Sequence, residues 1–305
     1  MHTFTSWKAF LLRALLLCCL IMPAISAQAA DQTVKLAYVE WSSEIASTNV
    51  VKAVLQEEMG VNCRIIAMKA DEMWEAVATG EVDGTVAAWL PLTHAHYLKT
   101  YQSDMVDLGP NLEGAKIGLV VPNVSLGRQT AATGLRNTPY IKADTIGDLQ
   151  KYAGKFKHRI IGIDPESGVM QKTREAIEAY GLDNYELVAG SEVSMTAELG
   201  HAIQRQKWVV VTGWVPHWKF ARWELKFLED PKNIYGDKEN IHTFARQGLK
   251  EDMPKVYELL DNFQWTPQDM GQLMIWIHDD NGMYPYDKAL RFIKAKKDLV
   301  QSWVP

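Results

Sequence analysis

Cysteine is nearly absent. Of three in 305 residues, Cys18 and Cys19 fall within the first thirty, which leaves Cys63 alone downstream. A lone thiol forms no internal disulfide, so an exported chain of this composition is held by its hydrophobic core. Long apolar runs are missing as well: beyond residue 30 no segment approaches the ~20 apolar residues that a membrane span requires. There is no low-complexity tract and no long run of one charge. Basic residues are outnumbered, with 32 Lys and Arg against 37 Asp and Glu, which argues against a nucleic-acid partner. A secreted hydrolase built on Ser167 with His94 or His217 would want a Gly-x-Ser-x-Gly elbow, and none occurs. His94-Ala95-His96 resembles half of a metal site. Residues two apart point to different sides of a helix, however, and no nearby cysteine or carboxylate pattern completes four ligands, so neither metal nor cofactor is expected.

The first 29 residues have the pattern of a secretory signal peptide: Lys8 and Arg13, an apolar run from Ala14 to Met22, and the small-x-small site Ala27-Gln28-Ala29. Cys18 follows Leu17 rather than a small residue, so no lipid anchor is expected. Cleavage would move the formal net charge from −5 to −7. The roughly 275 remaining residues suffice for one large domain or two of ordinary size.

What is present is a repeat. Gly84 to His94 reads GTVAAWLPLTH and Val209 to Trp218 reads VVVTGWVPHW, so two β-rich runs end in Trp-x-Pro, at Trp89 and at Trp214. Upstream, VKLAYVEW (34–41) aligns with RIIGIDPESG (159–168). Helical periodicity follows over 46–59 and 170–180, closed by Gly60 and Gly181 at the position glycine favours. Second strands are expected at 63–68 and 185–189, and second helices open near Met73 and Met195. Each copy is strand, helix, strand, helix, strand, offset by about 125 residues, an order that implies a parallel sheet with helices on both faces, built twice. Extended crossings between the copies are expected at 116–121 and 240–245. The tail is helical, with a helix start at Thr266-Pro267-Gln268-Asp269 and an amphipathic helix over 287–300.

In parallel sheets ligands sit at the carboxyl ends of the strands, where Trp41, Trp89 and Trp214 all fall. A cleft rich in tryptophan and poor in acids suits a quaternary ammonium, which has no N–H to donate and is selected by aromatic faces worth on the order of 1–2 kcal/mol each. A carboxylate at the cargo's other end would meet the backbone N–H groups of Ser167-Gly168-Val169 at a helix start, with His94 as the side-chain donor. Trp74, Trp208, Trp218, Trp223, Trp265, Trp276 and Trp303 are read as packing or surface residues. His217 either lines the cleft or caps the loop after Pro216.

The segments AYVEWSSEIASTNVV, MWEAVATGEVDGTVAAWLPLTH, DLGPNLEGAKIGLVVP, GIDPESGVM, TGWVPHW and IHTFARQGL resemble the glycine betaine-binding proteins of osmoprotectant ABC uptake systems, over essentially the whole chain beyond the leader. The resemblance implies an α/β, two-lobed type II periplasmic solute-binding fold with two crossing strands, lobe I comprising 30–117 and 242–305 and lobe II 118–241. By the same resemblance Trp41, Trp89 and Trp214 form an aromatic cage, and His94, Gly168 and Val169 clamp a carboxylate. It further implies a non-enzymatic, monomeric periplasmic protein that delivers its ligand to a membrane-embedded ABC permease and its ATPase. A choline-binding importer component is the nearest alternative.

Overall fold

The computed structural model describes residues 33–124 and 139–305; the expected signal peptide, 1–29, lies outside them. Strands form where β-branched and apolar residues cluster. β1 (Val34–Tyr38), β2 (Cys63–Ala67) and β3 (Gly84–Leu90) come first, then the long β4 (Met105–Pro122). β5 (Arg159–Ile161), β6 (Glu186–Val188) and β7 (Val211–Val215) follow, and β8 (Leu225–Phe227) and β9 (Glu239–Arg246) close the series.

The repeat is realised in the pairing. β1 lies between β2 and β3, parallel to both, with Leu36 opposite Gly84. β5 lies in the same way between β6 and β7, with Ile161 opposite Val211. Each triplet is finished by an antiparallel neighbour: β9 against β3, and the end of β4 against β7. The full order is β2-β1-β3-β9-β4-β7-β5-β6, with β8 on β4. This is the α/β two-lobed arrangement, and β4 belongs to both halves.

β4 is much longer than the crossing read from the sequence. Only its second half, Lys116–Pro122, carries a buried apolar run, which begins at Ile117; it pairs with β7 and β8. The first half pairs with β9 through three register shifts and turns at Gly109 and Gly114, which have positive φ, so its pattern alternates poorly and reads as a loop.

Helices begin earlier than periodicity alone suggests, at Ser42, Gly168 and Glu192, because their first turns are polar or lack a side chain. In the tail, helices Pro254–Asn262, Pro267–Asp279 and Pro285–Ala295 each start on a proline, whose missing N–H has no intrahelical role at that position. Thr266 caps the second of them by accepting the Asp269 N–H at 3.1 Å. The single helix expected over 287–300 is instead two, Pro285–Ala295 and Lys297–Gln301. The break is at Lys296, which leaves helical dihedrals and pairs with Asp269 at 2.8 Å. The tail packs on helix Ser42–Ala53 and so returns to the first triplet. Among the described residues no helix is long and apolar enough to cross a membrane.

Candidate ligand-binding site

Both Trp-x-Pro motifs end their strands alike. Trp89 and Trp214 are the penultimate residues of β3 and β7, and cis peptide bonds follow at Leu90–Pro91 and Val215–Pro216. Trp41 precedes helix Ser42–Ala53 beyond β1, and Ser167 precedes helix Gly168–Ala179 at the equivalent place beyond β5. These strand ends converge. Trp41, Trp89, Trp214, His94, Gly168 and Val169 line one cavity with about 310 Å³ of space, so the structure brings together all six residues singled out in the sequence. Ser43, Thr93, Ile117, Ile163 and Ser167 complete the lining.

The cavity lining is poor in acids, as expected from the sequence. Among the described residues no carboxylate lines it, yet carboxylates stand directly behind its walls. Trp89 donates its indole N–H to Glu44 Oε1 at 2.7 Å, and Trp41 donates to Asp164 Oδ2 at 2.9 Å. A buried indole N–H needs such a partner, and these two bonds fix the ring planes. Burial pushes Glu44 up to about 7, against the pull of the Ser43 and Trp89 donors. Trp214 is held differently: the His217 ring meets it edge-on at 4.8 Å, and Lys219 Nζ lies 4.0 Å from its ring centroid.

His94 is set up as a neutral donor. Its Nδ1 accepts the Trp89 backbone N–H at 3.1 Å, which puts the ring proton on Nε2. Burial, and secondarily the charge of His96, lowers its pKa to about 3. Nε2 is itself buried and has no hydrogen-bond partner among the described residues. The turn that aims it is held from β9, where Glu239 accepts the N–H groups of Leu92 and Thr93 at 2.8 and 2.6 Å as well as the Thr93 hydroxyl.

Facing this turn is the start of helix Gly168–Ala179. The N–H groups of Gly168 and Val169 occupy its first two positions, where no carbonyl lies one turn back, and the helix end favours an anion. Glycine at 168 is a matter of space: a Cβ there would lie 2.0 Å from the Thr93 carbonyl oxygen. The two halves therefore touch at Gly168, in a closed arrangement.

Other contacts brace the same closure. Glu192 accepts the Ser42 N–H at 2.9 Å and the Ser42 hydroxyl, and His217 Nε2 lies 3.0 Å from its Oε1. Burial opposes the Glu192 charge, but His217 and the Ser42 donors override it and hold the carboxyl below its usual range. Trp218 donates to Ser42 Oγ at 3.0 Å and stacks on His278 at 3.6 Å, so it is a cleft residue rather than packing alone. Tyr97 Oη donates to the Glu166 carbonyl at 3.2 Å. His217 accepts the Lys219 N–H through Nδ1 at 3.0 Å and does not line the cavity, which decides between its two readings. Trp74 and Trp303, by contrast, are wholly buried. Among the described residues no group of three or more His, Cys, Asp or Glu could hold a metal ion.

Sequence reasoning missed Glu44, Glu192, Glu239 and Lys219. Glu44 and Glu192 look like ordinary first-turn acids, and Lys219 like a surface cation; nothing local marks them as buried.

The family of substrate-binding domains of ABC-type glycine betaine transport systems matches residues 32–295. The chain belongs to this family. It is 38% identical to lactococcal OpuAC in its closed, glycine betaine-bound form, with a TM-score of 0.80, covering 90% of this chain and 100% of that one. The glycine betaine, L-proline-binding protein ProX of Borrelia burgdorferi is 37% identical, with a TM-score of 0.81 over 90% of this chain and 97% of that one. The glycine betaine/carnitine transport binding protein GbuC of Listeria monocytogenes serotype 1/2a (strain 10403S) is 43% identical over 175 residues. Those residues are 57% of this chain and 56% of GbuC, so the match spans little more than half the length of that relative.

Proposed function

We propose that this chain is the extracytoplasmic substrate-binding component of an ABC importer and that it captures glycine betaine or a closely related carboxylated quaternary ammonium solute. Trp41, Trp89 and Trp214 surround the ammonium. His94 Nε2–H and the Gly168 and Val169 N–H groups receive the carboxylate. The observation that carries this reading is the buried donor on His94, unpartnered among the described residues, lining one cavity with three indoles. A cation with an anion at its other end satisfies both features.

The lobes, 30–117 with 242–305 and 118–241, each contribute part of the site, so closure completes it. The closed form is then handed to a membrane-embedded permease with its ATPase. The protein works as a monomer in the periplasm after loss of its leader. Capture involves no chemistry: the Ser167 hydroxyl donates to the Asp164 carbonyl at 2.7 Å rather than to a histidine, which speaks against a hydrolase. Choline fits the cage but leaves donors of the clamp unpaired.

Calorimetry tests the reading. Trp214→Ala should weaken glycine betaine binding by roughly tenfold or more, the loss of one desolvated cation-π face of ~1.5 kcal/mol. Trp276→Ala, at a partly exposed ring under Arg291, should leave it unchanged. Equal effects at both positions would overturn the cage.

A further inference from the structure

Glu44 is a buried acid that the lining of the site does not account for. It is 1% exposed, it does not line the cavity, and among the described residues it has no ion-pair partner. Its two side-chain donors are the Trp89 indole and the Ser43 hydroxyl. The charge that acts on it is another carboxylate, Glu192, which disfavours its ionisation. An isolated buried carboxylate costs several kcal/mol unless a positive charge offsets it. Among the described residues no side chain supplies that charge, and the Trp89 ring bonded to Glu44 lines the cavity as a wall of the proposed cage.

We propose that Glu44 is a positioning residue for cation selection: its carboxylate orients Trp89 and, acting through that indole, is the counter-charge of the ligand's ammonium. An N–H donated to an anion pushes electron density onto the ring, so the π face that meets the cation becomes more negative. The residual field of the carboxylate adds to this in a site that excludes water. Asp164 bonds Trp41 in the same fashion, but from the other side of the cleft and partly exposed, so its effect is mixed with closure. Glu44 and Trp89 belong to the same half and isolate the charge effect.

The inference rests on the cage reading, and its test separates the two. Tryptophan fluorescence titration compares glycine betaine with 3,3-dimethylbutanoate, which has the same shape and carboxylate but a neutral carbon in place of nitrogen. The titrations are run at about pH 8, where the carboxylate is ionised. Wild type should prefer glycine betaine strongly; equal affinities there would overturn the cage itself. Glu44→Gln keeps the size and an acceptor for the indole but removes the charge, and should shrink the preference by at least about fivefold, through weaker betaine binding alone. If Gln is not tolerated, Glu44→Met places an apolar side chain of similar length at the buried position, with the same expected loss of preference. A merely structural role weakens both ligands equally, and an unchanged preference in a folded variant would overturn the inference.

Discussion

Removing the imidazole of His94 should cost a carboxylated ligand far more than an alcohol. The proposed clamp has three donors: His94 Nε2–H, buried and unpartnered among the described residues, and the first two N–H groups of helix Gly168–Ala179. Because Nδ1 is occupied by the Trp89 N–H and the ring is neutral down to about pH 3, the donor is present throughout the physiological range. A hydrogen bond to a charged acceptor contributes about 1.5–3 kcal/mol, so His94→Ala should weaken glycine betaine by roughly 10- to 150-fold. Choline's hydroxyl can satisfy few of the three donors, so wild type should bind it at least roughly tenfold more weakly than glycine betaine. For the same reason choline should lose at most about fivefold in the variant. Four dissociation constants from calorimetry, two ligands against two proteins, measure this directly. Tighter choline binding by wild type, or an unchanged ratio in the variant, would refute the reasoning.

Three further outcomes follow from close contacts and burial around the site. Gly168→Ala puts a methyl 2.0 Å from the Thr93 carbonyl oxygen, so it should block closure: ligand no longer reduces the radius of gyration in solution scattering, while the unliganded melting temperature holds. Compaction equal to wild type would count against the close approach. Glu192→Gln removes the charge that takes the Ser42 N–H and O–H, and should weaken glycine betaine by about tenfold, with unchanged affinity as the contrary result. Burial lowers Lys219 from 10.5 to about 7, so above pH 7 the unfolded chain binds a proton that the folded one gives up, and stability rises with pH. With ligand saturating, the wild-type melting temperature should therefore gain on that of Lys219→Met between about pH 7 and 9, and parallel profiles would contradict the assignment.

Much of this was legible in the chain itself. The strand–helix order, its duplication and the three tryptophans follow from local patterns, because strand burial, helix starts and Trp-x-Pro turns are written in neighbouring residues. A repeated motif at equivalent strand ends also implies a shared site, since parallel strands of one triplet all finish on the same side. The full length of β4 was not legible, because its first half is irregular and half exposed, and its pairing depends on β9, more than a hundred residues away. The break at Lys296 depends on Asp269, which sits in another helix. The acids behind the cage lay further out of reach. Glu44 and Glu192 are ordinary first-turn residues by sequence, and only packing removes water from them and turns Trp89 or Ser42 toward their oxygens. Periodicity reports which face of an element is apolar, whereas the energy of a buried charge depends on every group packed around it, and that neighbourhood exists only once the chain has folded.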